Sequence, residues 1–365
     1  MRILATLLLT SIAAGVSAGE VVVRIANAPG EGTVIVQAFD SPNAFGDFRA
    51  PVVERSISLA DGASVTLDGV PAGPVALIAF LDENDNGILD KNFIGIPRET
   101  LGISNGYRPK GPPAFTRASV IVPADEPLTV DIELYRVLGE RGRLGVGAGA
   151  VGQSSPYVGS SETVLQPIPA ITYNGERLQW VGPNIQYGVL GSGRLRLAVS
   201  ASYRIGAYEE EDSPVLAGLG DRESTMLAGV GLRYELPGGV NLLARYQHDV
   251  LDRIGGGQGR LRLSKGFQAG IFRLVPQLSV NWLAADLANH DFGVPEAAAI
   301  PGRPAYAVGD VTSVEAGFGS FIEITENWRA VINLSVEQFG SEVSDSPIVD
   351  TDRVVRGFAA ITYVF

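Results

Sequence analysis

From about Arg141 to Phe365, apolar residues alternate with polar or charged ones at a period of two. The clearest stretch is "RLRLAVSASYRIGA", residues 194–207. Leu195, Leu197, Val199, Ala201, Tyr203 and Ile205 form one face, and Arg194, Arg196, Ala198, Ser200, Ser202 and Arg204 the other. Successive side chains of a strand point to opposite faces, so this is a strand set between two different media. "WRAVINLSVEQF" (328–339), "SVEAGFGSFIE" (313–323), "LAGVGLRYEL" (227–236) and "LLARYQHD" (242–249) repeat the scheme.

A soluble antiparallel sheet also alternates. Three further features favour a transmembrane β-barrel. The apolar face carries aromatic residues near strand ends (Tyr203, Tyr234, Trp328, Tyr363), as a membrane girdle does. The other face holds arginine, glutamate and glycine, as a narrow polar lumen would. Short turns such as "ELPGG" (235–239) alternate with long acidic stretches, among them 208–223, 286–311 and 340–352. Outer-membrane barrels have this asymmetry of short periplasmic turns and long outer loops. Arg194, Arg196, Arg204, Arg233, Arg245, Arg260 and Arg262, with Glu235, Glu315, Glu323 and Glu337, are the expected lumen residues. They fit either a charge-selective pore or a lumen plugged by cross-barrel pairs. "YEEED" (208–212) reads as a solvated outer loop.

Strand number follows from parity, because single-chain bacterial barrels have even counts. "RLQWVGPNIQYGVLG" (177–191) decides it. Broken at Gly182-Pro183, where proline cannot donate to a central ladder, it gives two short strands and about twelve in all, with ten as the alternative. The final "ITYVF" places Ile361, Tyr363 and Phe365 on one face. That stretch reads as the strand that closes the barrel against the first, and it resembles the C-terminal assembly signal read by the outer-membrane barrel assembly machinery.

Residues 19–135 follow a different grammar. Seven short apolar runs (21–28, 33–40, 52–59, 64–70, 74–82, 118–123 and 128–134) are separated by turn residues, which suggests a small Ig-like β-sandwich. Residues 1–18 read as a signal peptide, with Arg2, an apolar stretch and the small-residue site Val16-Ser17-Ala18. The fold class is therefore all-β: signal peptide 1–18, periplasmic sandwich 19–135, barrel 141–365. A net charge of −12 argues against nucleic acid as partner and leaves membrane lipids. The absence of cysteine excludes a disulfide framework, a thiolate nucleophile and a cysteine zinc site.

"SPYVGSSE" (155–162), "QPIPAITYNGERLQW" (166–180), "LAGLGD" (216–221), "PAYAVGDVTSVEAGFG" (304–319) and "SDSPIVD" (344–350) resemble the MipA/OmpV family of outer-membrane proteins, the MltA-interacting proteins. The resemblance implies a non-enzymatic outer-membrane barrel. It also implies a scaffold role linking a murein transglycosylase to a peptidoglycan synthase. "VPAGPVALIAFLDENDNGILDKNFIGIPRETLGISN" (70–105) is similar to a domain of unknown function, family 2141, whose strand layout resembles transthyretin-type sandwiches.

"DENDNGILD" (82–90) is the sharpest local motif. Asp82, Asn84, Asn86 and Asp90 stand at positions 1, 3, 5 and 9 of a calcium loop, Gly87 at the sharp turn and the Ile88 carbonyl at position 7. The twelfth position is Phe93 and not glutamate, so a full EF-hand is excluded and Ca2+ is the one candidate cofactor. The competing reading is a hairpin-end loop in which Asp and Asn bond their own backbone. His248 and His290 are the only histidines, and no nucleophile motif accompanies either, so no catalytic residue is assigned. A small-solute pore is the alternative function.

Overall fold

The computed structural model describes residues 18–160 and 163–365; the expected signal peptide lies almost entirely outside them. The N-terminal part runs β1 (Ala18–Ile25), β2 (Thr33–Phe39), α1 (Pro42–Asp47), β3 (Val53–Ser58), β4 (Ser64–Pro71), β5 (Gly73–Asp82), β6 (Thr100–Ile103), α2 (Phe115–Ala118), β7 (Val120–Val122), β8 (Leu128–Ile132) and β9 (Tyr135–Arg136). One sheet has the order β4-β1-β8. The other has the order β3-β2-β5-β6-β9, with β7 on β5.

Val21, Val23, Leu67 and Ile132 of the small sheet are buried against Val34, Val36, Leu77 and Ala79 of the large one. The far face of the large sheet is buried too. Ile78, Phe80 and Leu101 lie under α1, α2 and their loops, with the Phe45 ring 5.9 Å from Phe39 and 6.1 Å from Phe115. Burial on both faces explains why β5 reads "PVALIAFL" without alternation. The expected sandwich therefore has a third, irregular layer. The unexpected β6 is four residues with no periodicity to reveal it.

The barrel comprises β10 (Arg143–Ser154), β11 (Thr163–Asn174), β12 (Leu178–Val181), β13 (Asn184–Leu190), β14 (Leu195–Arg204), β15 (Thr225–Glu235), β16 (Val240–Asp249), β17 (Gly257–Lys265), β19 (Phe272–Leu283), β20 (Val311–Glu323), β21 (Trp328–Phe339) and β22 (Arg353–Val364). The three-residue β18 (Phe267–Ala269) only extends a turn against β19. Neighbours pair antiparallel, β17 pairs β19, and β10 pairs β22, so twelve strands close on themselves. The break at Gly182-Pro183 is real: Gly182 takes φ +52 in the turn between β12 and β13.

Alternation sorts as the two media require. Val199, Tyr203, Ile332, Leu334 and Ile361 are exposed on the outside, while Arg196, Glu315 and Glu337 are buried inside. At the seam, register runs from Gly145↔Val364 to Gln153↔Arg356, and the Phe365 amide donates to the Leu144 carbonyl at 3.0 Å. Trp328, Tyr363 and Phe365 form an edge-to-face chain on the outside, at 5.4 and 5.0 Å.

The mouth away from the sandwich is roofed by its own loops. Tyr157, Tyr208, Leu216, Val343, Ile348 and Phe292, the last at the end of α3 (Ala285–Phe292), form a buried cluster. The stretch expected to be a solvated loop is thus partly core. Glu211 points to solvent, but Tyr208 is buried against Tyr157 (4.9 Å) and under the Arg222 guanidinium (4.8 Å).

At Gly147 the seam has no room for a side chain: a Cβ there would stand 1.8 Å from the Ile361 carbonyl oxygen. Gly147→Val is therefore expected to prevent closure, abolishing the heat-modifiable fast-migrating form on unboiled gels. Ala148→Val, whose side chain points outward, should leave it intact.

Candidate functional site

The site is the near mouth of the barrel, which the N-terminal domain stops. The segment after β5 builds the stopper. Asp82 accepts from the amides of Asn86 (3.1 Å) and Gly87 (2.8 Å), and Glu99 accepts from those of Glu83 (3.0 Å) and Asp90 (2.9 Å). Beyond this clamp, Lys91 bridges Pro97. The Asn92 Oδ1 accepts from Gly95 (3.1 Å) and Ile96 (2.9 Å), with Gly95 at φ +100. The result is a tight finger with Phe93 at its tip.

The finger is bonded into the barrel. Arg196 Nη1 donates to the Asn92 carbonyl at 2.9 Å, the Lys91 amide to the Ser192 carbonyl at 2.8 Å, and Asn92 Nδ2 to the Gly175 carbonyl at 3.3 Å. The Phe93 ring is buried with the Arg233 guanidinium 5.5 Å above it. Around the finger the whole rim is engaged. The Glu235 carboxylate binds Arg49, Arg196 (3.2 Å) and, at 3.9 Å, Lys91. Asp47 at the end of α1 pairs with Arg273. Across the mouth, Glu323 accepts from the Tyr107 hydroxyl and pairs with Arg117 (3.3 Å), while Lys110 donates to the Val364 carbonyl (3.0 Å).

Above the stopper, charges pair along the lumen wall, between strands that are adjacent or one apart. Arg260 meets Glu315 (3.2 Å) and Asn281 (2.7 Å). Asn281 also donates to Glu337 (2.9 Å), and Glu337 pairs with Arg356. Arg262 donates to Ser279 Oγ at 3.1 Å. Under the roof, Arg204 pairs with the buried Asp291, which also contacts His290 (3.2 Å). Arg233 and Arg245 form no salt bridge among the described residues. They line a cavity of about 160 Å³ with Phe93, Gln186, Ala198, Ser200, Gly231 and Leu243.

Of the expected lumen residues, Arg194 is misplaced. Its face alternates correctly, but β14 begins at Leu195, so Arg194 sits exposed in the rim turn, where its carbonyl accepts from the Glu235 amide. Arg273, Arg329 and Arg356 obey the same alternation and belong with the inward set. Phe93, Lys91, Asp47 and Tyr107 carry no such signal, because their role depends on docking between distant segments.

The 82–90 loop closes on itself. Asn84 and Asn86 turn their amide nitrogens to Asp90 (2.9 and 3.2 Å), and the Ile88 amide donates to Asn86 Oδ1 (2.8 Å). This is the arrangement of the hairpin-end loop. His248 faces outward, whereas Asp249 is buried and accepts from Thr225 and the amides of Leu251, Ile254 and Gly255. His248 pairs in register with Gly257 and Ser264 with Asn241, at opposite ends of β16 and β17, so they form no triad.

Two titrating groups sit in the stopper. Burial, with Arg196 and Arg49 adding to it and Asp47 opposing, holds the Lys91 ammonium down to about 8. Burial raises the Glu99 carboxyl to about 7 against its two amide hydrogen bonds. For Lys91 the docked state binds the proton less tightly than the free state. Docking is therefore weakest below about pH 8 and strengthens as pH rises from there towards the ordinary lysine value of 10.5. The hydrogen-exchange protection factors of the amides in 91–98, taken relative to the intrinsic rate at each pH, should rise across that window, and Lys91→Met should remove the dependence. For the 82–90 loop, the thermal midpoint of the full chain should be the same in calcium and in chelator. A calcium-dependent rise lost in Asp82→Ala would place an ion there.

The family model described as MltA-interacting protein MipA matches residues 146–365, and that of an uncharacterized protein conserved in bacteria (DUF2141) matches 23–131. Outer membrane protein OmpV of Vibrio cholerae is 26% identical over 160 residues, 44% of this chain and 62% of that protein. Outer membrane protein Omp26La of Vibrio anguillarum is 26% identical over 159 residues, 43% and 61% respectively. The chain thus spans about three fifths of the length of these curated relatives. Among solved structures, in-vitro folded OmpT of Vibrio cholerae aligns at 10% identity over 93% of this chain and 99% of that one, with a TM-score of 0.28. Neisserial surface protein A aligns at 10% identity over 60% and 95%, with a TM-score of 0.20.

Proposed function

We propose that this chain, which belongs to the MltA-interacting protein MipA family, is a non-enzymatic envelope scaffold whose barrel is stopped by its own periplasmic domain. The relatives OmpV and Omp26La are outer membrane proteins, and the protein is an outer-membrane β-barrel. The stopped mouth supports the finer reading. Removing one partner of a buried ion pair costs about 3–5 kcal/mol, and Glu235 alone serves Arg49, Arg196 and Lys91. A stopper so held is suited to fixing the domain at the inner surface of the outer membrane and not to passing solutes. In this reading the domain's free face is offered to a murein transglycosylase, to which the family description points, and the proposal adds a peptidoglycan synthase beyond it.

A small-solute pore is the competing reading, and the lumen arginines favour it only when the finger withdraws. Planar-bilayer recordings separate the two. The intact protein should be silent at ordinary voltages. Glu235→Ala combined with Phe93→Ala should produce stepwise openings, with anion preference from the unpaired arginines. Steady conductance from the unaltered protein would favour the pore. The scaffold role is checked by co-migration with a purified lytic transglycosylase in size-exclusion chromatography, which should be lost when residues 19–135 are removed.

A further inference from the structure

The inner wall from β14 to β17 sets like charges against each other. Arg196 stands directly opposite Arg233, and Arg245 directly opposite Arg260. Like charges facing each other across a ladder repel, and the repulsion grows away from bulk water. One member of each pair is drawn off. Arg196 turns to the Asn92 carbonyl (2.9 Å) and to Glu235 (3.2 Å), and Arg260 turns to Asn281 (2.7 Å) and to Glu315 (3.2 Å). The other members, Arg233 and Arg245, have no carboxylate partner among the described residues, and the buried Arg233 Nε has no acceptor among them. The nearest carboxylates are committed: Glu235 serves Arg49, Arg196 and Lys91, and Glu315 serves Arg260.

The two free guanidinium groups meet at one place. Arg245 of β16 is opposite Gly231 of β15, and Arg233 lies two residues along β15 on the same face, so the arginines are diagonal neighbours. The positions beside them are small. Ala198 is opposite Gly231, and Ser200 is the next inward residue of β14. This run of small residues leaves the cavity of about 160 Å³ that both arginines line. Leu243 and the Phe93 ring of the finger form its apolar part, and Gln186 and Ser200 its uncharged polar part. A Cβ added at Gly231 would stand 3.5 Å from the Phe93 ring, an ordinary contact, so the ladder itself does not demand glycine there.

We propose that this cavity binds a small organic carboxylate, its charge shared by Arg233 and Arg245 and its apolar body against Phe93 and Leu243. The charge identifies the head, because the guanidinium fork matches a carboxylate in shape and sign. The lining identifies the body. A bare inorganic anion would leave the Phe93 and Leu243 side chains facing water, whereas an apolar group covers them. Volume sets the size: a cavity of about 150 Å³ holds one benzene ring. Phe93 supplies one wall, so the site is complete only with the finger docked. It depends on that docking and not on the scaffold role. A ligand that binds only the docked state also holds the finger in place by mass action.

The test uses the full-length protein refolded into neutral detergent with ligand present, so that entry past the docked finger is not required. Benzoate is the probe, benzyl alcohol its uncharged counterpart and inorganic phosphate the bare anion. In equilibrium dialysis benzoate should bind one per chain, at least tenfold tighter than either of the others. Arg233→Gln with Arg245→Gln should weaken benzoate at least tenfold, with heat-modifiable migration reporting that the variant folds. Gly231→Leu keeps both arginines and fills the cavity, and it should also weaken benzoate at least tenfold. The protection factors of the amides in 91–98 should rise as benzoate is added. Equal binding of benzoate and benzyl alcohol would overturn the assignment of the head, and phosphate binding as tight as benzoate would overturn that of the body. Undiminished binding in the folded variants would overturn the location, and protection that does not change on saturation would overturn the part given to the finger.

Discussion

Everything in the barrel follows from the rule that a peptide group in hydrocarbon must find its hydrogen bond within the protein. β10 and β22 satisfy each other from Gly145↔Val364 to Gln153↔Arg356, and without that seam the other ladders would end in two open edges. The seam in turn dictates composition. Gly145, Gly147 and Gly149 occupy inward positions of β10 where a Cβ would strike Thr172 or the backbone of β22. Closure then creates the opposite problem inside, a narrow space in which charge cannot be left alone. The lumen answers it with Arg260–Glu315 and Arg356–Glu337 in the middle and Arg204–Asp291 under the roof.

At the near mouth the anions and cations come from different segments of the chain. Glu235 and Glu323 belong to the barrel and find Arg49, Lys91 and Arg117 on the domain; Arg273 belongs to the barrel and finds Asp47 there. Neither surface is electrostatically complete without the other. This is why the domain docks as a stopper, where a domain on a free linker would not. The third layer of the sandwich, built from α1, α2 and their loops, includes two of the elements that make contacts with the barrel, α1 and the segment around Tyr107.

Much of this was legible in the sequence, and the reason differs by element. Period-two alternation located the long strands because each faces two media, and the proline at 183 betrayed the split between β12 and β13 because a central ladder cannot use it. Most expected lumen charges are inside for the same reason. Arg194 failed because alternation says which face a residue is on and not where the strand stops. Phe93 was visible only as the residue that spoils a calcium loop, since nothing local records that the finger will meet a guanidinium on β15. Long-range docking leaves no period in the chain. Buried β6 and doubly buried β5 leave little either.

Among the described residues, the edge of β11 where the governing rule is relaxed is also where the sequence looks least like a barrel. "QPIPA" puts two prolines along residues 163–170 of β11, an edge that no strand pairs on the β12 side among the described residues, and "VGP" puts a third in the β12–β13 turn, where a complete wall would want donors. A strand that had merely lost its neighbour would still present amides to the lipid, at several kcal/mol each. Here two of the four amides on that side, at positions 167 and 169, are absent from the covalent structure, and the edge costs correspondingly less to leave open. The relaxation is local, since β10 pairs every residue of β11 from the other side and the loop over Val158 ties the top. An opening so bounded does not weaken the closure on which the other strands depend.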